Sequence, residues 1–470
     1  MAGNRFQPVL SRLCLLIALI GGGSGVAIQP PARQGTGKQA ATNKPPRISS
    51  RVIVISLSGF GADLANNENG RTRIPTIRKM RKEGAYAIGL ESVFPSRTAP
   101  AIASFVTGRL PADHGVGSDF PFDEKTGAPA GRAFASAGQI RGDPLWDYVA
   151  REGLTTAAVS FPLTEGAAIR FNLPDPDGPD QPAAPSALRQ EALSWPGPKT
   201  EPLLPKDRSL AALLLKDAFT VDAARYLLEK HAPHLLLLHL RAFSSAQERF
   251  GLLSTESTSV LEQLDRMIDR LIDSTRRAGI YDESTFLLFS DAGAAEIERE
   301  FRPNVALARK GWLKAGASWE ASVQSFGGSA AVYVRDPSDK GLAQEVENLF
   351  LKKHEDPDSP IWRIFTRREA AKLGADPRPA FYIDAAAGVV LSGETSGNPI
   401  GRPSVRAASG YSPARAEMRA TLAVFGRGVK PGAKLEFARL IDLAPTIARM
   451  LGIEMKTARG RVLAEALAPE

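Results

Sequence analysis

The chain has 470 residues, of which 43% are hydrophobic and 23% charged, so a buried core is expected. That length holds one large α/β domain with insertions, or two to three ordinary domains. The formal net charge is +8, but the cations are scattered with no long Lys/Arg block, so a solvated basic surface is expected and a nucleic-acid partner is not.

In chain order, Arg5 and Arg12 precede an apolar run from Leu13 to Ile20, then Gly-rich sequence ending in Gly25-Val26-Ala27. A basic start, a short apolar segment and small residues at a cleavage site read as a secretory signal peptide over residues 1–27. The run is short for a membrane span, and an uncleaved N-terminal anchor is the alternative. Export to a periplasmic or extracellular location follows. Cys14, the only cysteine, lies in this run after Arg12-Leu13, a context unlike a lipoprotein acylation site. Cleavage after Ala27 leaves no cysteine, which excludes disulfides and thiolate metal sites. Residues 28–50, rich in Pro, Gln, Lys and Thr without apolar periodicity, read as a disordered tether.

From Val52 onward, short apolar runs alternate with helical patterns. Val52–Leu57 has the near-continuous apolar character of a buried parallel strand, and Thr156–Phe161, Leu235–Leu240, Thr285–Ser290 and Thr421–Phe425 look similar. Val260, Leu261, Leu264, Met267, Ile268, Leu271 and Ile272 recur at helical spacing, with Gly279 as the stop signal. The alternation predicts a doubly wound α/β sheet covered on both faces, built from residues 51–310 and 405–468. Residues 163–205, dense in Pro, Asp and Gly, read as a loop-rich excursion, and residues 311–404 as a smaller inserted subdomain. No other segment approaches transmembrane length. Chemistry is expected just beyond the carboxyl ends of the strands.

Those ends carry the informative residues. Val52–Leu57 runs into Ser58-Gly59-Phe60. Downstream come Phe94-Pro95-Ser96-Arg97-Thr98-Ala99-Pro100 and Thr107-Gly108-Arg109-Leu110-Pro111-Ala112-Asp113-His114-Gly115. Leu235–Leu240 leads into Arg241 to Gly251, Thr285–Ser290 into Asp291-Ala292-Gly293, and the C-terminal third contains Ala408-Ser409-Gly410-Tyr411 and Ile441-Asp442-Leu443-Ala444-Pro445-Thr446-Ile447. In this order, over about residues 51–455, the set resembles the type I phosphodiesterase/nucleotide pyrophosphatase family of the alkaline phosphatase superfamily. The resemblance implies an alkaline-phosphatase-like α/β/α sandwich with a mostly parallel central sheet. It also implies two zinc ions that activate a Thr or Ser nucleophile and offset charge on a phosphoryl group.

The nucleophile position is Thr98. Six further positions would hold the zinc ions, and here most depart from the pattern. The Asp after the first strand is Ser58. The Asp and His that follow the strand ending at Leu240 are Ser244 and Glu248. Ser-Asp-His-Gly becomes Ser290-Asp291-Ala292-Gly293, and the last His becomes Ser409. The Asn that helps to hold the phosphoryl group is Ala101. Zinc takes about three or four His, Cys or carboxylate ligands, and only Asp291 and Glu248 qualify.

The five histidines offer no relocated site. His114 sits in a turn where a structural role is expected. His231 and His234 precede a strand on the side away from the site, His239 reads as a satisfied core imidazole, and His354 lies in a charged, solvated stretch. Pro95-Ser96-Arg97 also suggests a sulfatase, but the position that should carry the oxidisable Cys or Ser is Val93, and that reading fails.

The expectation is therefore a catalytically impaired pseudoenzyme with Thr98 as a vestigial nucleophile and no cofactor. It would act by binding a small anionic or phosphate-containing ligand, with Arg97 as the anion contact, or an envelope protein. One alternative is an active phosphodiesterase using Thr98 and a single hard ion such as Mg²⁺ on Asp291 and Glu248. The other is a structural cell-envelope interaction protein.

Overall fold

The computed structural model describes residues 45–67, 72–175, 186–314 and 318–469. The predicted signal peptide and residues 28–44 of the predicted tether lie outside the described residues. Residues 45–50 depart from the tether reading. The N–H groups of Ile48 and Ser49 donate to the Met450 carbonyl, that of Ser50 donates to the Glu283 carbonyl, and Ser49 is buried. Backbone pairing of this kind leaves no apolar periodicity in the sequence, and so composition does not reveal it.

Strand Arg51–Leu57 shows how the sheet is buried. Val52 and Val54 join one apolar cluster, and Ile53, Ile55 and Leu57 join another on the opposite face. Leu235–Leu240 alternates in the same way, so both strands read as continuous apolar runs because both faces are covered. The eight-stranded sheet has Arg51–Leu57 near its centre, paired in parallel with Leu235–Leu240 on one side and Ser284–Phe289 on the other. Thr156–Val159 and then Phe171–Leu173 extend it in parallel beyond Leu235–Leu240. On the other flank Leu422–Gly426 runs antiparallel to Ser284–Phe289, unlike the parallel strand that its apolar run suggests.

Helices Thr98–Thr107, Leu145–Arg151 and Leu443–Met450 pack on one face, and Pro75–Glu83, Arg208–His231 and Thr255–Arg277 on the other. The periodic helix predicted around residues 260–272 is Thr255–Arg277. Its N-terminus is capped by the Ser254 hydroxyl, which accepts the Ser257 N–H at 3.1 Å. The described parts of the loop-rich stretch include the edge strand Phe171–Leu173 and helix Ala187–Ser194, while residues 176–185 lie outside the described residues. Among the described residues no helix is long and apolar enough to cross a membrane.

A second, four-stranded antiparallel sheet has the order Ala321–Ser325, Ser329–Val334, Phe381–Ala385, Ile361–Thr366. Its apolar face belongs to a third cluster that also takes in Phe94 and Tyr411. Phe94 lies against Phe365 and Tyr382, at ring-centroid distances of 5.4 and 5.2 Å. The loop that leads to Thr98 is thereby anchored on the second sheet.

Candidate functional site

Arg51–Leu57, Leu235–Leu240 and Ser284–Phe289 are neighbours with their carboxyl ends on one edge, so the segments that follow them converge there. After the first strand, Gly59 has φ +76°, and a Cβ built on it would lie 2.8 Å from the Ser244 Cβ. Glycine is needed both for the left-handed turn and for the close approach. The turn aims the Gly59 N–H at Asp291.

Asp291 is the hub. Its Oδ2 accepts hydrogen bonds from the hydroxyls of Ser58 (2.8 Å) and Thr98 (2.6 Å). Its Oδ1 accepts from the N–H groups of Gly59 (3.0 Å) and Ala292 (2.9 Å), with a longer contact from the Ser290 hydroxyl (3.4 Å). A carboxylate offers about four lone-pair sites, and four good donors fill them.

Thr98 is the first residue of helix Thr98–Thr107, whose N-terminus has no side-chain cap from Arg97. Asp119 does that work from a distance. Its Oδ1 accepts the Ala99 N–H at 2.9 Å, and its Oδ2 accepts Arg97 Nε at 2.8 Å. Asp119 is also the main reason that the Arg97 guanidinium is held above its ordinary pKa. Arg97 Nη1 donates to the Ser409 hydroxyl at 3.3 Å. Ser409 is held by Gly410, at φ +92°, where a Cβ would lie 1.8 Å from the Phe326 carbonyl oxygen.

Ser244 and Glu248 are one helical turn apart on Ala242–Phe250 and share a face. The Ser244 hydroxyl donates to the Arg241 carbonyl at 3.0 Å. The half-buried Glu248 carboxylate makes no hydrogen bond or ion pair among the described residues. Its pKa is raised first by burial, against the attraction of Arg97, with Asp119 and Asp291 adding repulsion.

Ser58, Arg97, Thr98, Ser244, Glu248, Asp291 and Ser409 all line one cavity of about 390 Å³. Ala292 does not line it: the side chain is buried, and only its backbone N–H serves the site, through Asp291. Ala101 is buried within its helix. Among the described residues there is no group of three His, Cys, Asp or Glu side chains placed to hold a metal ion.

His239 corrects the sequence reading of a satisfied imidazole. Nδ1 pairs with the Ser56 hydroxyl at 2.9 Å, but the buried Nε2 has no partner among the described residues, and the residue lines the cavity. Burial pushes its pKa down to about 4, so the ring is neutral at pH 7. It is the second-last residue of its strand, and that closeness to the carboxyl end was the available signal. Asp119 was also missed, and no local pattern marks it, because its role depends on a helix about twenty residues earlier in the chain. His114 is built into the core, with Nε2 2.8 Å from the Ser104 hydroxyl and Nδ1 accepting the Val116 N–H at 3.2 Å. His234 Nδ1 accepts the Thr155 N–H at 3.1 Å, at the opposite end of the sheet.

Residues 52–402 match the family model for type I phosphodiesterase / nucleotide pyrophosphatase. Human ectonucleotide pyrophosphatase/phosphodiesterase family member 1 is 25% identical over 247 residues, covering 51% of this chain and 23% of that protein. An uncharacterized pyrophosphatase/phosphodiesterase of Schizosaccharomyces pombe is 26% identical over 251 residues, 52% of this chain and 45% of the relative. Venom phosphodiesterase 2 of Crotalus adamanteus is 22% identical over 252 residues, 53% of this chain and 27% of the relative. The chain thus spans less than half the length of these relatives. Among solved structures, murine ectonucleotide pyrophosphatase/phosphodiesterase 5 superposes with a TM-score of 0.64 at 17% identity, covering 89% of this chain and all of that one. An inactive variant of the same murine protein, in complex with AMP, superposes with the same TM-score at 16% identity. The shared fold is the alkaline-phosphatase-like α/β sandwich.

Proposed function

The chain belongs to the type I phosphodiesterase/nucleotide pyrophosphatase family, and we propose that within it this protein is a pseudoenzyme that binds a ligand without hydrolysing it. One observation carries the reading: Asp291 is saturated by protein donors at both oxygens. The residues present do not fit a pair of zinc ions. Each ion needs three or four strong ligands, whereas the positions around Thr98 that should hold them supply the carboxylates of Asp291 and Glu248 beside the neutral hydroxyls of Ser58, Ser244 and Ser409, and Asp119 and Asp175 of the same lining are already paired with Arg97 and Arg241. In place of a cation, hydroxyl and amide protons face Asp291.

The Thr98 hydroxyl donates a hydrogen bond to Asp291 Oδ2 at 2.6 Å. That contact also supports a second reading, in which Thr98 still attacks a phosphodiester with one hard ion on Asp291 and Glu248. A carboxylate whose lone pairs are already filled by four donors is a poor base for a hydroxyl, which favours the first reading. The decisive experiment measures zinc and magnesium content and bis-p-nitrophenyl phosphate hydrolysis on one preparation. The expected result is no stoichiometric metal and no rate above blank, with or without added zinc. A rate abolished by Thr98→Ala would overturn the proposal.

We also propose that the protein is exported to a periplasmic or extracellular location, anchored at the N-terminus if the signal is not removed. The basic start and apolar run of the sequence support this, as do relatives named for venom and for an ecto-location. N-terminal sequencing of the fractionated protein tests it, and a cytosolic protein beginning at Met1 would overturn it. The binding partner is a small ligand of the cavity. An envelope protein that binds equally well when the cavity is altered would instead favour the structural role.

A further inference from the structure

We propose that the cavity takes an organic cation, an alkylammonium ion, in place of the phosphate ester that a two-zinc site would hold. The inference rests on the reading that the zinc ions are gone.

Two zinc ions would bring four positive charges to this cavity. Among the described residues its lining carries the carboxylates of Asp119, Glu165, Asp175, Glu248 and Asp291 and two guanidinium groups, Arg97 and Arg241. Both arginines are already in ion pairs, Arg97 with Asp119 at 2.8 Å and Arg241 with Asp175 at 3.0 Å. Setting aside Glu165, which has an interaction of its own, Glu248 and Asp291 leave the described lining with an excess of negative charge in a chain whose overall formal charge is +8. A phosphate ester placed beside Thr98 would face Asp291 and Glu248 with no cation between them. At such separations like charges repel strongly in a cavity screened from bulk water.

Two further features point to a cation. Glu248 presents a half-buried carboxylate with no ion-pair partner among the described residues. His239 presents a buried Nε2 with no partner among the described residues. In the tautomer whose Nδ1 proton is donated to the Ser56 hydroxyl, Nε2 offers a lone pair to an N–H of the ligand. Buried polar atoms rarely stay unpaired, so a ligand N–H is a natural complement. The apolar wall contains Phe120, Phe134 and Phe161, and aromatic faces attract an ammonium group through the ring quadrupole. A volume of about 390 Å³ suits a small molecule.

The test is isothermal titration of the full chain in metal-free buffer with n-butylammonium, tetramethylammonium, n-butanol, AMP and inorganic phosphate. Saturable one-to-one binding of at least one ammonium probe is expected, absent for n-butanol and weakened at least tenfold by Glu248→Gln with the circular dichroism spectrum unchanged. The proposal is overturned if neither ammonium ion binds, if AMP or phosphate binds more tightly, or if Glu248→Gln leaves the affinity unaltered. Failure here, with no turnover of bis-p-nitrophenyl phosphate, removes the cation and leaves the pseudoenzyme reading standing. Turnover or stoichiometric metal removes the pseudoenzyme reading itself.

Discussion

Asp291 sits where two hydroxyls and two backbone N–H groups meet, and that makes it a structural brace for the segments after strands Arg51–Leu57 and Ser284–Phe289 and for the start of the Thr98 helix. Asp291→Ala should cost on the order of 3 kcal/mol, since the N–H groups of Gly59 and Ala292 would be left buried and unpaired. Urea denaturation checks this, and a loss under 1 kcal/mol would show that the brace carries little. His114 supports a pH prediction. Burial, then the charges of Arg109 and Arg141, push its pKa down from 6.5 to about 3. The folded state refuses a proton that the unfolded state accepts below pH 6.5, so this stability is complete above 6.5 and is lost as pH falls from there toward 3. The slope is at most about 1.4 kcal/mol per pH unit for one such group. His114→Gln should flatten part of that slope between pH 6 and 4 in urea denaturations at successive pH values. The sequence singled out Asp291 but not its brace role, because Ser58, Gly59 and Thr98, three of its four donors, lie 233, 232 and 193 residues away.

At the scale of elements, the helix Thr98–Thr107 begins under the control of a distant residue. Asp119 accepts the Ala99 N–H and pairs with Arg97, so one side chain caps the helix and neutralises its neighbour. Asp119→Ala should cost about 2 kcal/mol, the sum expected for a lost cap and a partly buried charge left alone. Asp119→Asn, which keeps an acceptor for the Ala99 N–H, should cost less, and a comparison of the two urea midpoints checks the order. Elements of this kind separate what was legible from what was not. Thr255–Arg277 was legible because its apolar residues and its stop signal are local. The direction of Leu422–Gly426 was not, since an apolar run looks the same in parallel and antiparallel neighbours. The edge strand Phe171–Leu173 is only three residues long and gives period-two alternation no room to show.

For the whole molecule, the scaffold was readable because a sheet buried on both faces writes itself as apolar runs. The charge balance of the cavity was not readable, since Asp119, Glu165 and Asp175 reach it from segments that carry no motif. The three apolar clusters are formed by the sheets and helices themselves, so the folded state should not depend on a metal. An ion bound at one hundred times its dissociation constant adds about 2.7 kcal/mol to stability through mass action alone. Denaturation in EDTA, in zinc and in buffer should therefore give coincident midpoints. A midpoint raised by zinc and lowered by EDTA, with unchanged slope, would mean that Asp291 gives up its hydroxyl donors to a cation. The same linkage gives n-butylammonium the opposite expectation: at one hundred times its own dissociation constant it should stabilise the wild-type chain by about 2.7 kcal/mol, and an equal concentration should do much less for Glu248→Gln.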